Sequence, residues 1–138
     1  MATTTVDSVF ERVKQQAEAI ASDAEHTIPV MYIGDEVRQG DIYITRIPGV
    51  PHGAELVESP TRQLAPGTTQ GSRHCLRSLD GVKVYRMRNA GPLDGPIIDA
   101  PGGCTIDHPE HGNRTLPGGT YAVTYQRAFA EELRRVQD

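Results

Sequence analysis

Apolar positions near the start of the chain recur at intervals of three and four, which is the spacing of one side of an α-helix. Over residues 5–21 the charged residues fall on the other side, so the pattern predicts an amphipathic helix. Because its apolar stripe is narrow, we expect this helix either to pack on the rest of the protein or to pair with copies of itself in a homo-oligomer. The stripe consists of Val6, Phe10, Val13, Ala17 and Ile20.

Beyond residue 27 the pattern changes to short β-branched and aromatic runs separated by glycine and proline, which is typical of β-strands. In the run 40–47 two isoleucines alternate with Tyr43 and Thr45, as in a strand whose two faces have different surroundings. Similar runs predict further strands at 28–33, 82–87, 96–100, 104–106 and 120–127, with an edge strand or extended linker at 54–64.

Two local signals refine this pattern. The dipeptide Asp80-Gly81, just ahead of the run 82–87, predicts a β-hairpin. Residues 128–136 place apolar side chains on one side and charges around them, which predicts a short C-terminal helix. The fold class we predict is therefore mainly β: a small single-domain β-barrel or double-sheet roll of about seven or eight strands, with an N-terminal amphipathic helix and a short C-terminal helix.

The length and composition of the chain fit a single domain. Its 138 residues are enough for one hydrophobic core but not for two. Only 37% of the residues are hydrophobic and tryptophan is absent, so the core must be small and built from Val, Ile, Leu and a few Tyr. We divide the chain into an N-terminal helix and connection, 1–27, and a β domain, 28–138.

Charge is distributed unevenly along the chain. Residues 59–93 carry six basic side chains and one acidic side chain, whereas 94–111 carry four acidic and no basic ones. Either the two segments pair and their charges meet across a sheet, or the basic segment binds a partner that carries phosphate, as in a nucleic-acid accessory protein. The net charge of −4 argues against a protein that coats nucleic acid. The second interpretation would use Arg73, Arg77, Arg86 and Arg88.

The sequence contains no pattern of a targeting or membrane segment. The first residues lack a basic region followed by a long apolar run, and no apolar stretch approaches the ~20 residues of a membrane helix. We therefore expect a cytoplasmic protein with no membrane partner, in which Cys75 and Cys104 are reduced thiols.

Three of the five histidines lie in two short polar segments, 66–75 and 105–112. If the two segments meet, His74, His108 and His111 form a three-histidine set with one open position, the arrangement that catalytic zinc uses. Zinc is the first candidate cation for imidazole ligands, followed by iron and manganese.

Two carboxylates lie beside these histidines. Asp107 or Glu110 could orient an imidazole or act as a general base in catalysis.

The same residues allow other interpretations. The histidines of the turn could be structural, or His108 or His111 could work with Glu110 in acid–base catalysis without metal. Cys75 and Cys104 could instead complete a closed structural zinc site, although free cysteines are more often buried as small hydrophobic residues. Ser72 lies near His74, but closeness in sequence does not give the geometry of a nucleophile and its base.

A set of spaced motifs between residues 39 and 127 resembles a group of small uncharacterised bacterial and phage-borne β proteins. The group has no activity that the resemblance could carry over. This chain differs from the group at Ser72, where those proteins tend to have a further histidine. The layout is also similar, more loosely, to that of cupins, but the His-x-His motif of cupins is missing. The motifs are Gln39-Gly40-Asp41-Ile42, Leu64-Ala65-Pro66-Gly67, Gly71-x-x-His74, His108-Pro109-Glu110-His111-Gly112, Leu116-Pro117-Gly118-Gly119-Thr120-Tyr121 and Gln126-Arg127.

The function we expect from the sequence is a small metal-binding β protein, including a metal-dependent enzyme that acts on a small polar molecule. The alternative from another class is a non-enzymatic self-assembling or adaptor module. In that protein residues 5–21 would mediate association, and the histidine turn would be structural.

Overall fold

The computed structural model describes residues 25–66 and 73–131. The predicted helix at 5–21, residues 67–72 of the first polar segment with Ser72, and the part of the predicted C-terminal helix beyond 131 lie outside the described residues. The described chain contains a helical segment at 127–131. No helix in the described ranges is long and apolar enough to cross a membrane.

The described residues form ten β-strands in two sheets. One is a four-stranded sheet in the order β1-β9-β8-β5, and the other is a six-stranded sheet in the order β2-β3-β10-β7-β6-β4. All pairings are antiparallel except that of β1 with β9. The strands are β1 (Glu25–Thr27), β2 (Glu36–Gln39), β3 (Ile42–Ile47), β4 (Ala54–Leu56), β5 (Cys75–Leu76), β6 (Lys83–Met87), β7 (Asp94–Ala100), β8 (Cys104–Asp107), β9 (Asn113–Leu116) and β10 (Gly119–Tyr125).

The mainly-β class is confirmed, but the barrel is wrong for the described part of the chain. Both sheets end in edge strands, β1 and β5 in one sheet and β2 and β4 in the other, so neither closes on itself. The short strands explain this, because β1, β4 and β5 have only two or three residues each and cannot supply the continuous pairing of a barrel.

One hydrophobic core joins the two sheets. On the six-stranded side, the alternation in β3 places one face of the strand in this core: Ile42 and Ile44 are fully buried, while Tyr43 between them is half-buried. Ile106 and Leu116 contribute from the four-stranded sheet and belong to the same buried cluster. The two sheets therefore share the side chains that stabilise each of them.

The strand predicted at 28–33 is not formed. Met31 reaches the core, but Val30, Tyr32 and Ile33 are exposed. The carbonyl of Met31 accepts a hydrogen bond from the Arg46 guanidinium instead of from a neighbouring strand. This segment is an anchored loop rather than part of a sheet.

The hairpin predicted at Asp80-Gly81 is also wrong. A turn is present, because Val82 donates its backbone N–H to the carbonyl of Leu79, and Gly81 has a φ of 71°. However, β5 pairs with β8, whereas β6 pairs with β4 and β7. The turn carries the chain from one sheet to the other.

Residues Glu25–Thr27, expected to be part of a connection, form β1 at the edge of the four-stranded sheet. They precede the boundary that we place between residues 27 and 28, and the boundary itself stays a prediction.

Candidate functional site

The three histidines of the two polar segments lie in contact. The ring centroids of His74 and His108 are 4.3 Å apart, and those of His108 and His111 are 4.5 Å apart. His74 and His111 are separated by 6.4 Å with nearly parallel rings. We call these residues the histidine cluster.

Strand pairing brings the first two histidines together. In the antiparallel pair of β5 and β8, Cys75 lies opposite Asp107. His74 precedes Cys75 and His108 follows Asp107, so each lies one residue beyond the end of this short ladder, next to each other on the two paired strands. A contact between residues far apart in sequence thus follows directly from the register of two strands.

His111 is brought to the cluster by a tight turn between β8 and β9. The Nδ1 atom of His108 accepts backbone N–H bonds from Glu110 and His111, both at 3.0 Å. Gly112 donates its N–H to the carbonyl of His108 and has a φ of 76°, a conformation that glycine adopts without strain. The backbone N–H of His108 is in turn bound by the side-chain oxygen of Asn113.

Gln39 is a member of the site that sequence reasoning missed. Its side chain is fully buried, and its Oε1 lies 2.9 Å from Nδ1 of His74. Its Nε2 donates to the carbonyls of Ile106 at 3.0 Å and Gly112 at 2.7 Å. The only signal was its place in the first of the shared motifs, since a glutamine at a strand end has no chemistry of its own to mark it.

Burial divides the cluster into an inner and an outer part. His74 is fully buried and His108 is 2% exposed, whereas His111 lies at the surface. Burial, reinforced by the neighbouring His108 and His111, lowers the pKa of His74 to about 3. His74 is therefore a neutral imidazole at ordinary pH, and within the described residues its Nε2 has no hydrogen-bond partner.

Gly40 forms the wall behind the outer histidine. A Cβ atom at this position would lie 2.4 Å from Cδ2 and 2.7 Å from Nε2 of His111. Gly40 also has a φ of 58°, which disfavours other residues. The glycine of the first motif therefore allows the ring of His111 to lie close against the backbone.

The two predicted acidic residues bind arginines at the surface. Asp107 accepts a hydrogen bond from Arg77 at 2.9 Å, and Glu110 accepts one from Arg73 at 2.8 Å. Lys83 also lies opposite Asp99 in the sheet. The basic segment 59–93 and the acidic segment 94–111 therefore do pair, with opposite charges meeting across the strands. A catalytic role for Asp107 or Glu110 stays a prediction, and in this arrangement Gln39, rather than either carboxylate, orients His74.

The cysteines lie on neighbouring strands of the four-stranded sheet and form no disulfide. Burial raises the pKa of the Cys104 thiol to about 11. In the described ranges, no group of three or more His, Cys, Asp or Glu side chains is already arranged to hold a metal ion. This finding holds for the predicted closed site of cysteine and histidine and equally for the three histidines of the cluster, which are in contact but are not arranged around one point.

The largest cavity among those described lies elsewhere. It has a volume of about 340 Å³ and is lined by the linker after β4 and by parts of β6, β7 and β10, including Arg86 and Tyr125. None of the three histidines belongs to its described lining. The histidine cluster is packed, and it meets solvent at His111.

A family profile described as a domain of unknown function, DUF8820, matches residues 38–126. The chain belongs to this family. The DUF8820 match agrees with the predicted resemblance over residues 39–127 and includes Gln39 and the whole histidine cluster. It carries no activity, and an origin in bacteria or phages stays a prediction. No curated protein and no solved structure matches the chain. The looser likeness to cupins gains no support, since the described strands form no closed barrel.

Proposed function

We propose that this DUF8820 protein binds a divalent transition-metal cation at the histidine cluster, with His74 as the inner ligand and His108 and His111 completing the set. The observation that supports this most directly is the state of His74. Its Nε2 is buried beside two other imidazoles and makes no hydrogen bond to a described residue. A buried polar nitrogen without a partner costs free energy, which a bound cation would recover.

The donor atoms favour some cations over others. Imidazole nitrogen suits zinc, iron, copper and nickel, whereas magnesium and calcium require oxygen ligands. The nearby carboxylates of Asp107 and Glu110 bind arginines, so the cluster offers mainly nitrogen. Zinc is therefore the first candidate and iron the second, while manganese, the other ion considered from the sequence, prefers oxygen ligands.

The described arrangement fits the cation at His74 but does not yet surround it. Completing the set requires the side chains of His108 and His111 to turn toward one point. His111 is exposed and can turn, whereas His108 is buried and must first break the bonds that its Nδ1 accepts from the N–H groups of Glu110 and His111.

A cation held by three protein ligands keeps a position for water or substrate, where zinc lowers the pKa of bound water to about 7. His111 lies at the exposed side of the cluster, so a small polar molecule would enter there. A metal-dependent enzyme is the catalytic form of this proposal.

One observation favours the alternative of a structural histidine turn in an adaptor module. Nδ1 of His108 binds two backbone N–H groups of its own turn, which is a structural role whether or not a cation binds. A nucleic-acid accessory function gains less, because Arg73, Arg77 and Arg88 each form an ion pair with a carboxylate.

The experiment is elemental mass spectrometry of untagged protein, followed by calorimetric titration of chelator-treated protein with zinc, iron(II) and manganese(II). We expect about one cation per chain in the parent protein and none in His74→Asn, because three imidazoles define a single site. If none of these ions binds to the folded parent protein, the proposal fails and the structural interpretation stands.

A glycine pair tests the outer ligand separately. Gly40→Ala would push against the ring of His111, whereas Gly81→Ala, at a similar positive φ, meets no atom within 4 Å. Each should cost on the order of 1 kcal/mol of stability through the backbone. Only Gly40→Ala should weaken cation binding, and equal affinities in the two variants would remove His111 from the ligand set.

A further inference from the structure

The orientation of the Gln39 amide follows from its partners alone. One end of the amide faces the carbonyl oxygens of Ile106 and Gly112. Carbonyl oxygens only accept hydrogen bonds, so this end must be the NH2 group. The reversed amide would place three oxygens together in a buried site, and the opposite end is therefore the oxygen.

This orientation fixes the proton on His74. The Oε1 atom of Gln39 lies 2.9 Å from Nδ1 of His74, and an amide oxygen can only accept. Nδ1 must then carry the hydrogen, which leaves the lone pair of the neutral ring on Nε2. Both side chains are fully buried, so water does not compete for this bond.

The turn imposes the opposite arrangement on His108. Its Nδ1 accepts two backbone N–H bonds, at 3.0 Å each, and therefore carries the lone pair. In the neutral ring the hydrogen is then on Nε2. Two imidazoles whose centroids are 4.3 Å apart thus hold opposite tautomers.

We propose that Gln39 is the positioning residue of the cation site: it holds His74 as the Nδ1–H tautomer and so presents the Nε2 lone pair to the cation. The role of Gln39 in cation binding rests on the proposed function, whereas the tautomer of His74 follows from the hydrogen bonds of Gln39 alone. The ring nitrogen of a metal-bound histidine that does not bind the metal generally donates its N–H to an acceptor in this way. His74 is then ready to bind, whereas His108 becomes a ligand only by releasing its turn bonds, which would free the lone pair on its Nδ1.

The tautomers are measured directly by long-range ¹H–¹⁵N correlation spectra of protein carrying ¹⁵N-histidine and treated with chelator. We expect His74 to show a protonated Nδ1 and an unprotonated Nε2, and His108 to show the reverse. Spectra of His74→Asn and His108→Asn assign the signals. A His74 ring protonated on Nε2, or a mixture of its two tautomers, overturns the inference.

Two substitutions separate the acceptor of Gln39 from its donors. Gln39→Glu keeps an oxygen toward His74 but loses at least one of the two bonds to the carbonyls of Ile106 and Gly112, so it should destabilise the fold and keep the hydrogen on Nδ1 of His74. Gln39→Met removes the acceptor and should give a tautomer mixture with cation affinity reduced roughly 10–100-fold. Gln63→Met is the matched control, since that amide donates to the carbonyl of Ala65 instead.

A folded Gln39→Met protein that keeps the pure Nδ1–H tautomer also overturns the inference. If this variant does not fold, the spectrum of the parent protein decides. The outcomes separate the two proposals: the expected tautomer in a protein that binds no cation removes the function and leaves the role of Gln39 in fixing the proton. If the protein binds a cation but His74 of the chelator-treated protein is protonated on Nε2, the proposed function remains and the role of Gln39 is removed.

Discussion

His74 shows how strongly the surroundings of one residue change its chemistry. Its sequence neighbours give no reason to expect an imidazole that stays neutral far below its ordinary pKa. Burial, with two further imidazoles beside it, lowers that pKa to about 3. Because the unfolded chain returns the ring to its ordinary pKa, the difference is also a difference in stability.

We predict that His74 makes the fold sensitive to mild acid. Since its pKa is lowered in the folded protein, the unfolded chain binds more protons below about pH 6.5. The stability contribution is complete above that pH and is lost as the pH falls toward 3. From pH 7 to pH 5 the loss from this residue should be about 2 kcal/mol.

Urea unfolding of chelator-treated protein at several pH values measures this loss. The substitution His74→Asn keeps an amide N–H near Gln39 but removes the titrating ring, so its stability should fall less with acid than that of the parent. His52→Asn, at an exposed position, is the control. Identical pH profiles for the parent and His74→Asn would contradict the prediction.

At the scale of elements, local patterns predicted which segments are strands better than which strands pair. The alternation of Ile42 and Ile44 with Tyr43 and Thr45 is a property of neighbouring side chains, and β3 lies within the predicted run 40–47, although it begins two residues later. The run 28–33 is equally apolar, yet it forms no strand: Met31 is buried and its carbonyl accepts a hydrogen bond from Arg46, while Val30, Tyr32 and Ile33 are exposed. Asp80-Gly81 makes its turn, but the two-residue β5 finds its partner in β8.

In the site, too, local features could be predicted from the sequence and long-range contacts could not. The three histidines were predicted from their residue type and their placement in polar segments. Gln39 could not be, because its role depends on carbonyls 67 and 73 residues away. Likewise, the arginine partners of Asp107 and Glu110 depend on a sheet register that short strands do not specify.

The edge strand β1 gives a prediction at this scale. Its three residues are exposed, and among the described strands its backbone pairs with β9. Arg77 binds both Glu25 of β1 and Asp107 of β8, so it ties this strand to the sheet. We expect Arg77→Gln to speed hydrogen exchange in β1 and at the N–H of Ile28, which donates to the carbonyl of Thr115.

Hydrogen exchange followed by mass spectrometry or NMR measures this effect. Arg88→Gln is the matched control, because that arginine forms an exposed ion pair with Glu55 in the other sheet. Unchanged exchange in β1 of the Arg77 variant would show that the backbone pairing with β9 holds the strand alone.

At the scale of the whole molecule, the two sheets share one core and should unfold together. The buried cluster includes Ile106 of one sheet and Ile98 of the other. Removing either side chain in Ile98→Ala or Ile106→Ala should cost roughly 2–5 kcal/mol and weaken both sheets equally. A chain of this size is expected to behave as a two-state system.

Two probes follow the sheets separately during denaturation. Tyrosine fluorescence includes Tyr121, which is fully buried in the six-stranded sheet. In a Cys75→Ser background, thiol labelling reports Cys104 of the four-stranded sheet, whose raised pKa slows its reaction in the folded state. We expect coincident midpoints, and separate midpoints would show that the sheets unfold independently.

The buried amide of Gln39 binds two carbonyls of the four-stranded sheet and its turn, while its own backbone belongs to the six-stranded sheet. The same few atoms therefore join the sheets and orient the inner histidine. In the course of evolution such a position has little freedom, because a change that alters the chemistry of the cluster also weakens the protein. The side chain of His111 lies at the surface against Gly40 and does not join the two sheets in this way. Members of the family that acquire new chemistry should therefore differ first at the exposed edge of the cluster and keep its interior.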